Sequence, residues 1–126
     1  FASLRMTKGF MFELKISRNF KAAHALKGEV LHSHNWRIEV TLVSDKVDNN
    51  GCCVDFRDVD SAIDKVIAPF VNKSFNDIMK ISSTELIAKY FFEKFSCELN
   101  KKMICLKQIT VFEDANHSAS YLRSTI

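Results

Sequence analysis

Three of the four histidines of this 126-residue chain lie between positions 24 and 34, in Phe20-Lys21-Ala22-Ala23-His24 and His32-Ser33-His34-Asn35-Trp36. Residues i and i+2 of an extended strand point to one face, so His32 and His34 present two imidazoles side by side. A neighbouring antiparallel strand would bring His24 opposite them. Three neutral imidazoles with a fourth position open describe catalytic zinc. A single histidine is ordinarily a hydrogen-bonded core or surface residue, and an isolated H-x-H is a weak pattern. Two features strengthen it here. Both histidines open an apolar-alternating strand, where an unpaired imidazole would be costly to bury, and the third stands upstream at hairpin distance.

The elements that would position these residues follow from periodicity. Phe10, Phe12, Leu14 and Ile16 alternate with Glu13, Lys15 and Ser17, so 10–20 reads as a half-buried strand. A second strand covers His32 to Val43, with Trp36, Ile38, Val40 and Leu42 on one face. The two pair as an antiparallel hairpin whose loop holds Lys27, Gly28 and Glu29. Asp48-Asn49-Asn50-Gly51 is a turn, and Cys52–Phe56 a short strand or the lead-in to a helix capped by Asp55 or Asp58. Val59, Ala62, Ile63, Val66, Ile67 and Phe70 recur at helical spacing, and Pro69 marks the end. A second helix starts at Ser82 or Ser83, where Ser82-x-x-Glu85 fits a capping box. Leu86, Ile87, Tyr90, Phe91 and Phe95 form its buried stripe. After Asn100-Lys101-Lys102, strands run over Met103–Phe112 and Ala119–Leu122, with Glu113 and Asp114 between them. The order is β-β-α-α-β-β, an α+β domain.

Length predicts one domain, placed at 10–126, with residues 1–9 set aside as an N-terminal extension. That opening stretch starts at Phe1 and carries no acid, as an organelle transit peptide would, but nine residues are too few to support import, and the expected location is the cytoplasm. A net charge of +3 with scattered basic residues gives no electrostatic footprint for nucleic acid. No apolar run reaches the roughly 20 residues that span a bilayer, so no membrane partner is expected. Cys52, Cys53, Cys97 and Cys105 have neither C-x-x-C nor framework spacing. They read as reduced packing residues, with Cys52 and Cys53 pointing to opposite faces of a strand.

Together these residues resemble the 6-pyruvoyl-tetrahydropterin synthase and 6-carboxytetrahydropterin synthase family. The resemblance rests on F-x-A-A-H at 20–24, H-x-H-N-aromatic at 32–36, G-x-x-x-D-F at 51–56, Ser83-Thr84-Glu85 at a helix start, and Glu113 with Tyr121 eight residues on. It implies a T-fold: a four-stranded antiparallel sheet with two helices on one face. It also implies a homo-oligomer, a hexamer built as a dimer of trimers, with active sites between subunits. By the resemblance His24, His32 and His34 match the Zn2+ ligands. Glu113 matches the carboxylate that anchors a pterin's amino-pyrimidine edge, which it can do through two charge-assisted hydrogen bonds. Ser83 and Thr84 match residues lining the same pocket.

Members of the family act on the side chain of 7,8-dihydroneopterin triphosphate, using a cysteine and an Asp-His pair to move protons. This chain departs from the pattern twice. The cysteine's place is taken by Lys27-Gly28-Glu29-Val30-Leu31, which resembles a subgroup with glutamate in that role, and Glu29 is therefore the candidate base. The Asp-His pair falls on Val71 and Asn72, neither of which shuttles protons. His117, four residues past Glu113, is the remaining candidate acid or base. The resemblance thus implies a zinc-dependent pterin enzyme. Two alternatives stand beside it: a catalytically silent pterin-binding protein, and a structural T-fold in which zinc staples the hairpin with Glu29 as fourth ligand.

Overall fold

The computed structural model describes residues 11–99 and 104–124. The expected extension at 1–9, the strand start at Phe10, the Asn100-Lys101-Lys102 turn and Met103 lie outside the described residues. Four strands, β1 (Phe12–His24), β2 (His32–Ser44), β3 (Cys105–Asp114) and β4 (His117–Leu122), form one antiparallel sheet in the order β1-β2-β3-β4. Helices α1 (Phe56–Ile67) and α2 (Thr84–Glu98) pack on one face, with a single 3-10 turn at Phe75–Asp77 between them in sequence. This is the expected T-fold. No helix among the described residues is long and apolar enough to cross a membrane.

Alternation dictates the sheet's inner face. Trp36, Ile38, Val40 and Leu42 of β2 are fully buried, as are Val59 and Ile63 of α1 and Ile87, Ala88, Phe91 and Phe95 of α2. Phe75 sits at the centre of an aromatic cluster, with ring centroids 4.7 Å from Phe70, 5.2 Å from Trp36 and 6.1 Å from both Phe20 and Phe91. Such edge and tilted contacts add to the burial term.

Bulges explain where β3 departs from simple alternation. Thr41 pairs with Gln108 but Leu42 with Leu106, so Lys107 is the extra residue. The buried phase then passes from Leu106 to Ile109 and Val111. A second bulge lies near the strand's end. Phe112 pairs with Ser118 and Asp114 with His117, leaving Glu113 unpaired with β4.

Several expectations are corrected. β1 extends to His24, because Lys21–His24 continue to pair with β2, and β3 and β4 include Asp114 and His117. Of the two expected forms of residues 52–55, the structure has the lead-in to α1 and not the strand. The Asp48 carboxylate accepts from the backbone N–H of Asn50 and Cys52 and holds the chain in a turn. Cys52 is consequently exposed, as is Cys97, and only Cys53 and Cys105 pack inward. Asp55 caps α1 by accepting from Arg57 N–H. Ser83, not Ser82, caps α2, its Oγ accepting from Leu86 N–H. Leu86 is exposed because Ile87, Phe91 and Phe95 define the buried stripe and Leu86 lies to one side of it.

Candidate metal centre

The register of the hairpin assembles the histidines. His24 pairs directly with His32, and Ala22 with His34, so the three rings converge at one end of the sheet on the helix side. Their centroids lie 4.7 Å (His24 to His32), 4.8 Å (His32 to His34) and 5.1 Å (His24 to His34) apart. Trp36 forms the floor, 4.9 Å from the His24 ring and 5.4 Å from the His34 ring. Its indole N–H is fixed on the Ala22 carbonyl at 3.0 Å.

Backbone carbonyls select the ring nitrogens. His24 Nδ1–H donates to the Ser82 carbonyl and His32 Nδ1–H to the Val30 carbonyl, each at 2.8 Å. A carbonyl can only accept, so the proton sits on Nδ1 and the Nε2 lone pair is free to ligate. This is the outer support metal-binding histidines require. Glu113 supplies the fourth donor. The bulge sets it at the end of β3, where Oε1 lies 3.0 Å from His34 Nε2 and 3.7 Å from His24 Nε2. Its Oε2 accepts from the Thr84 hydroxyl at 3.1 Å, at the first residue of α2. The ligand atoms of His24, His32, His34 and Glu113 lie within 4.8 Å of one another, the only such cluster among the described residues.

The donor set fits a divalent metal on a direct test. His24 Nε2 and His34 Nε2 are shielded from solvent and neither has an aligned hydrogen bond, although His34 approaches Glu113. A buried polar nitrogen left so would be costly. Neutral imidazoles plus carboxylate are ligands that zinc accepts. A cleft of about 760 Å3 lies elsewhere, lined by Phe12, Cys53 and Phe56 among others, with no histidine. Ligand chemistry, not cavity size, marks this site.

Residues 13–124 match the sequence profile of the 6-pyruvoyl tetrahydropterin synthase family. The chain belongs to that family. A provisionally named 6-carboxy-5,6,7,8-tetrahydropterin synthase of Archaeoglobus fulgidus is 31% identical over 112 residues, covering 86% of this chain and 93% of the relative. Among solved structures, the Caenorhabditis elegans 6-pyruvoyl tetrahydropterin synthase superposes with a TM-score of 0.77 at 19% identity, covering 97% of this chain and all of that one. A Plasmodium vivax 6-pyruvoyltetrahydropterin synthase, with its catalytic glutamate replaced by cysteine, gives 0.74 at 20% identity over 91% of this chain and 99% of its own. At these identities the structures establish the fold.

Within this 6-pyruvoyl tetrahydropterin synthase fold the remaining expected residues are dispersed. Glu29 lies in the exposed hairpin loop, its Oε1 accepting from Leu26 N–H at 2.9 Å. His117 is exposed at the first residue of β4, with Nδ1 at 2.8 and 3.0 Å from the two Asp114 carboxylate oxygens. Asn116 N–H and then His117 hold the Asp114 carboxyl below its ordinary range. Ser83 is occupied in capping α2. Asn72 adopts a left-handed φ of 60° and donates its N–H to the Lys21 carbonyl at 2.7 Å, extending the β1 edge. Two residues support the site in a role that the sequence did not assign to them. Asn76 pairs through its amide with both Ala25 N–H and Ala25 C=O. Buried Ser82 donates to Asn76 Oδ1, and its own carbonyl holds His24. Ser82 had a visible signal, as a capping candidate, but for another task.

Proposed function

We propose that this chain is a zinc-dependent enzyme acting on the side chain of 7,8-dihydroneopterin triphosphate. The observation that carries the reading is the convergence of His24, His32 and His34, two of them with buried Nε2 atoms that lack a hydrogen bond. Zinc held there would polarise and acidify the substrate's side-chain hydroxyls. Glu113 anchors the amino-pyrimidine edge, and Thr84 keeps its carboxylate turned toward the site. Ser83 caps α2 and holds Thr84 in place. Glu29 serves as the base that takes a side-chain proton; the catalytic glutamate of the Plasmodium vivax relative supports a carboxylate in this role. His117 is the second proton-transfer group. Its Nδ1 is turned to Asp114, which leaves Nε2 for exchange, in place of the pair that Val71 and Asn72 lack.

The functional unit is a homo-oligomer, a dimer of trimers, supported by the family and by the two open sheet edges, β1 and β4. Its four free cysteines support a reducing, cytoplasmic setting. A silent pterin-binding protein is the second reading, favoured by the loss of the Asp-His pair at Val71 and Asn72. Mass spectrometry of products after incubating the zinc-loaded protein with dihydroneopterin triphosphate decides between them. Formation of 6-hydroxymethyl-dihydropterin, 6-pyruvoyl-tetrahydropterin or 6-carboxytetrahydropterin identifies the enzyme and its branch. Unchanged substrate with zinc bound favours the silent pterin-binding protein or the zinc-stapled structural one.

A further inference from the structure

We infer that the face of the sheet away from the helices carries a site for a phosphate-type oxyanion, built on Arg37 and independent of the pterin reading. Asn35 and Arg37 alternate along β2 with Trp36 and Ile38, which are buried under the helices, so they point to the uncovered face. On that face the register sets Asn19 of β1 opposite Arg37, and Lys21 opposite Asn35. The four make a square, with two cations on one diagonal and two amides on the other. Diagonal neighbours of an antiparallel pair stand roughly 7–8 Å apart, a gap that the long lysine and arginine side chains close on one small anion.

Arg37 is the anchor because its guanidinium is already held. Its register partner on β3 is Phe112, and the guanidinium carbon lies 4.1 Å from that ring's centroid. Stacking on an aromatic face fixes the plane of the guanidinium and leaves its N–H edges for a ligand, where two parallel donors match two oxygens of a phosphate. A hollow of about 390 Å3 opens at this point, lined by Asn19, Asn35, Arg37, Phe112 and Asp114 among others. Among the described residues neither Arg37 nor Lys21 forms an ion pair. The acids beside them are engaged elsewhere. Glu39 lies 3.8 Å from Lys15, and the Asp114 carboxylate accepts from Asn116 N–H and faces His117 Nδ1. Two cations with two neutral amide donors suit a dianion better than a single carboxylate, hence phosphate, free or as the phosphoryl group of a larger molecule.

Calorimetric titration of the zinc-loaded protein with inorganic phosphate tests the site. Wild type should bind one phosphate per chain, more weakly as salt rises. Arg37→Gln should lose at least about tenfold in affinity, the lower range for charge-assisted hydrogen bonds. Arg37→Lys should lose most of the same, because it keeps the charge without the planar fork. Lys21→Gln, at an exposed corner of the square, should cost about two- to fivefold. Thermal melts and zinc content establish that each variant is folded with its metal site intact. Methyl phosphate, titrated in parallel, separates the sources: equal or tighter binding assigns the site to a phosphorylated molecule, and weaker binding to the free ion. Equal phosphate affinity in wild type and Arg37→Gln would put the anion on the zinc and overturn the inference. So would a wild-type protein that binds no phosphate, and neither result touches the pterin reading.

Discussion

At the scale of single residues, the site is set by what each group's second atom touches. His24 and His32 turn Nε2 to the candidate metal site because a carbonyl occupies Nδ1, and Glu113 faces the rings because a hydroxyl occupies Oε2. Glu29 has no such tie to the metal, and so its substitution separates chemistry from binding. Glu29→Gln should lower kcat by roughly 10² to 10⁴, the usual contribution of a general base, with zinc and neopterin affinities unchanged. Equal loss of kcat and of neopterin affinity would make Glu29 a loop-shaping residue. His117 makes a second, pH-dependent prediction. Asp114 is held below its ordinary value of 3.8, first by Asn116 N–H and then by His117. A carboxyl depressed in the folded state contributes stability that is present above its unfolded value and disappears as pH falls through the folded one. His117→Asn should therefore make acid unfolding begin at slightly higher pH, and only slightly, because the Asn116 bond stays. A midpoint moving to lower pH would reverse the sign.

At the scale of elements, the hairpin register does most of the assembly, and one short network completes it. Asn76 belongs to the 3-10 turn, Ser82 precedes α2, and both reach the backbone just after β1 at Ala25. Asn76→Ala leaves the Ala25 N–H without its acceptor and loosens the Ser82 segment that holds His24. The expected loss is about 1–3 kcal/mol of stability, read by urea denaturation, together with weaker zinc binding. Full zinc affinity in the variant would show that Ser82 is positioned by other means. The hairpin and its three histidines were legible in sequence because strand alternation and i, i+2 spacing are local. α1 and the buried aromatic stripe of α2 were legible for the same reason. What stayed hidden was non-local or off-period. Glu113 joins the histidines through a bulge, which alternation cannot announce, and Ser82 acts through its carbonyl, which no residue type reveals. Cys52 reads as apolar by composition, yet the Asp48 turn turns it to solvent.

At the scale of the whole molecule, the candidate metal site draws its donors from three neighbouring strands of the sheet. His24 comes from β1, His32 and His34 from β2, Glu113 from β3, and Thr84 ties the last to α2. The sheet ends in β4 on one side and on the other in β1, which residues 72–74 cover only at Lys21 and Ala23; Phe12, Tyr121 and Leu122 are exposed on these outer strands. Long open edges are pairing sites unless covered, and partner copies would cover them. Both terms act only on the folded state, so each raises stability by mass action. Zinc at about 100 times its Kd should contribute about 2.7 kcal/mol, which for a chain of this size raises Tm by roughly 10 °C. Tm should also rise with protein concentration at saturating zinc, and light scattering should give a mass of several chains. A Tm that responds to zinc but not to protein concentration, with the mass of one chain, would leave the metal reading intact and remove the oligomer. The reverse pattern would place stability in the edges alone and leave the histidine cluster without its ion.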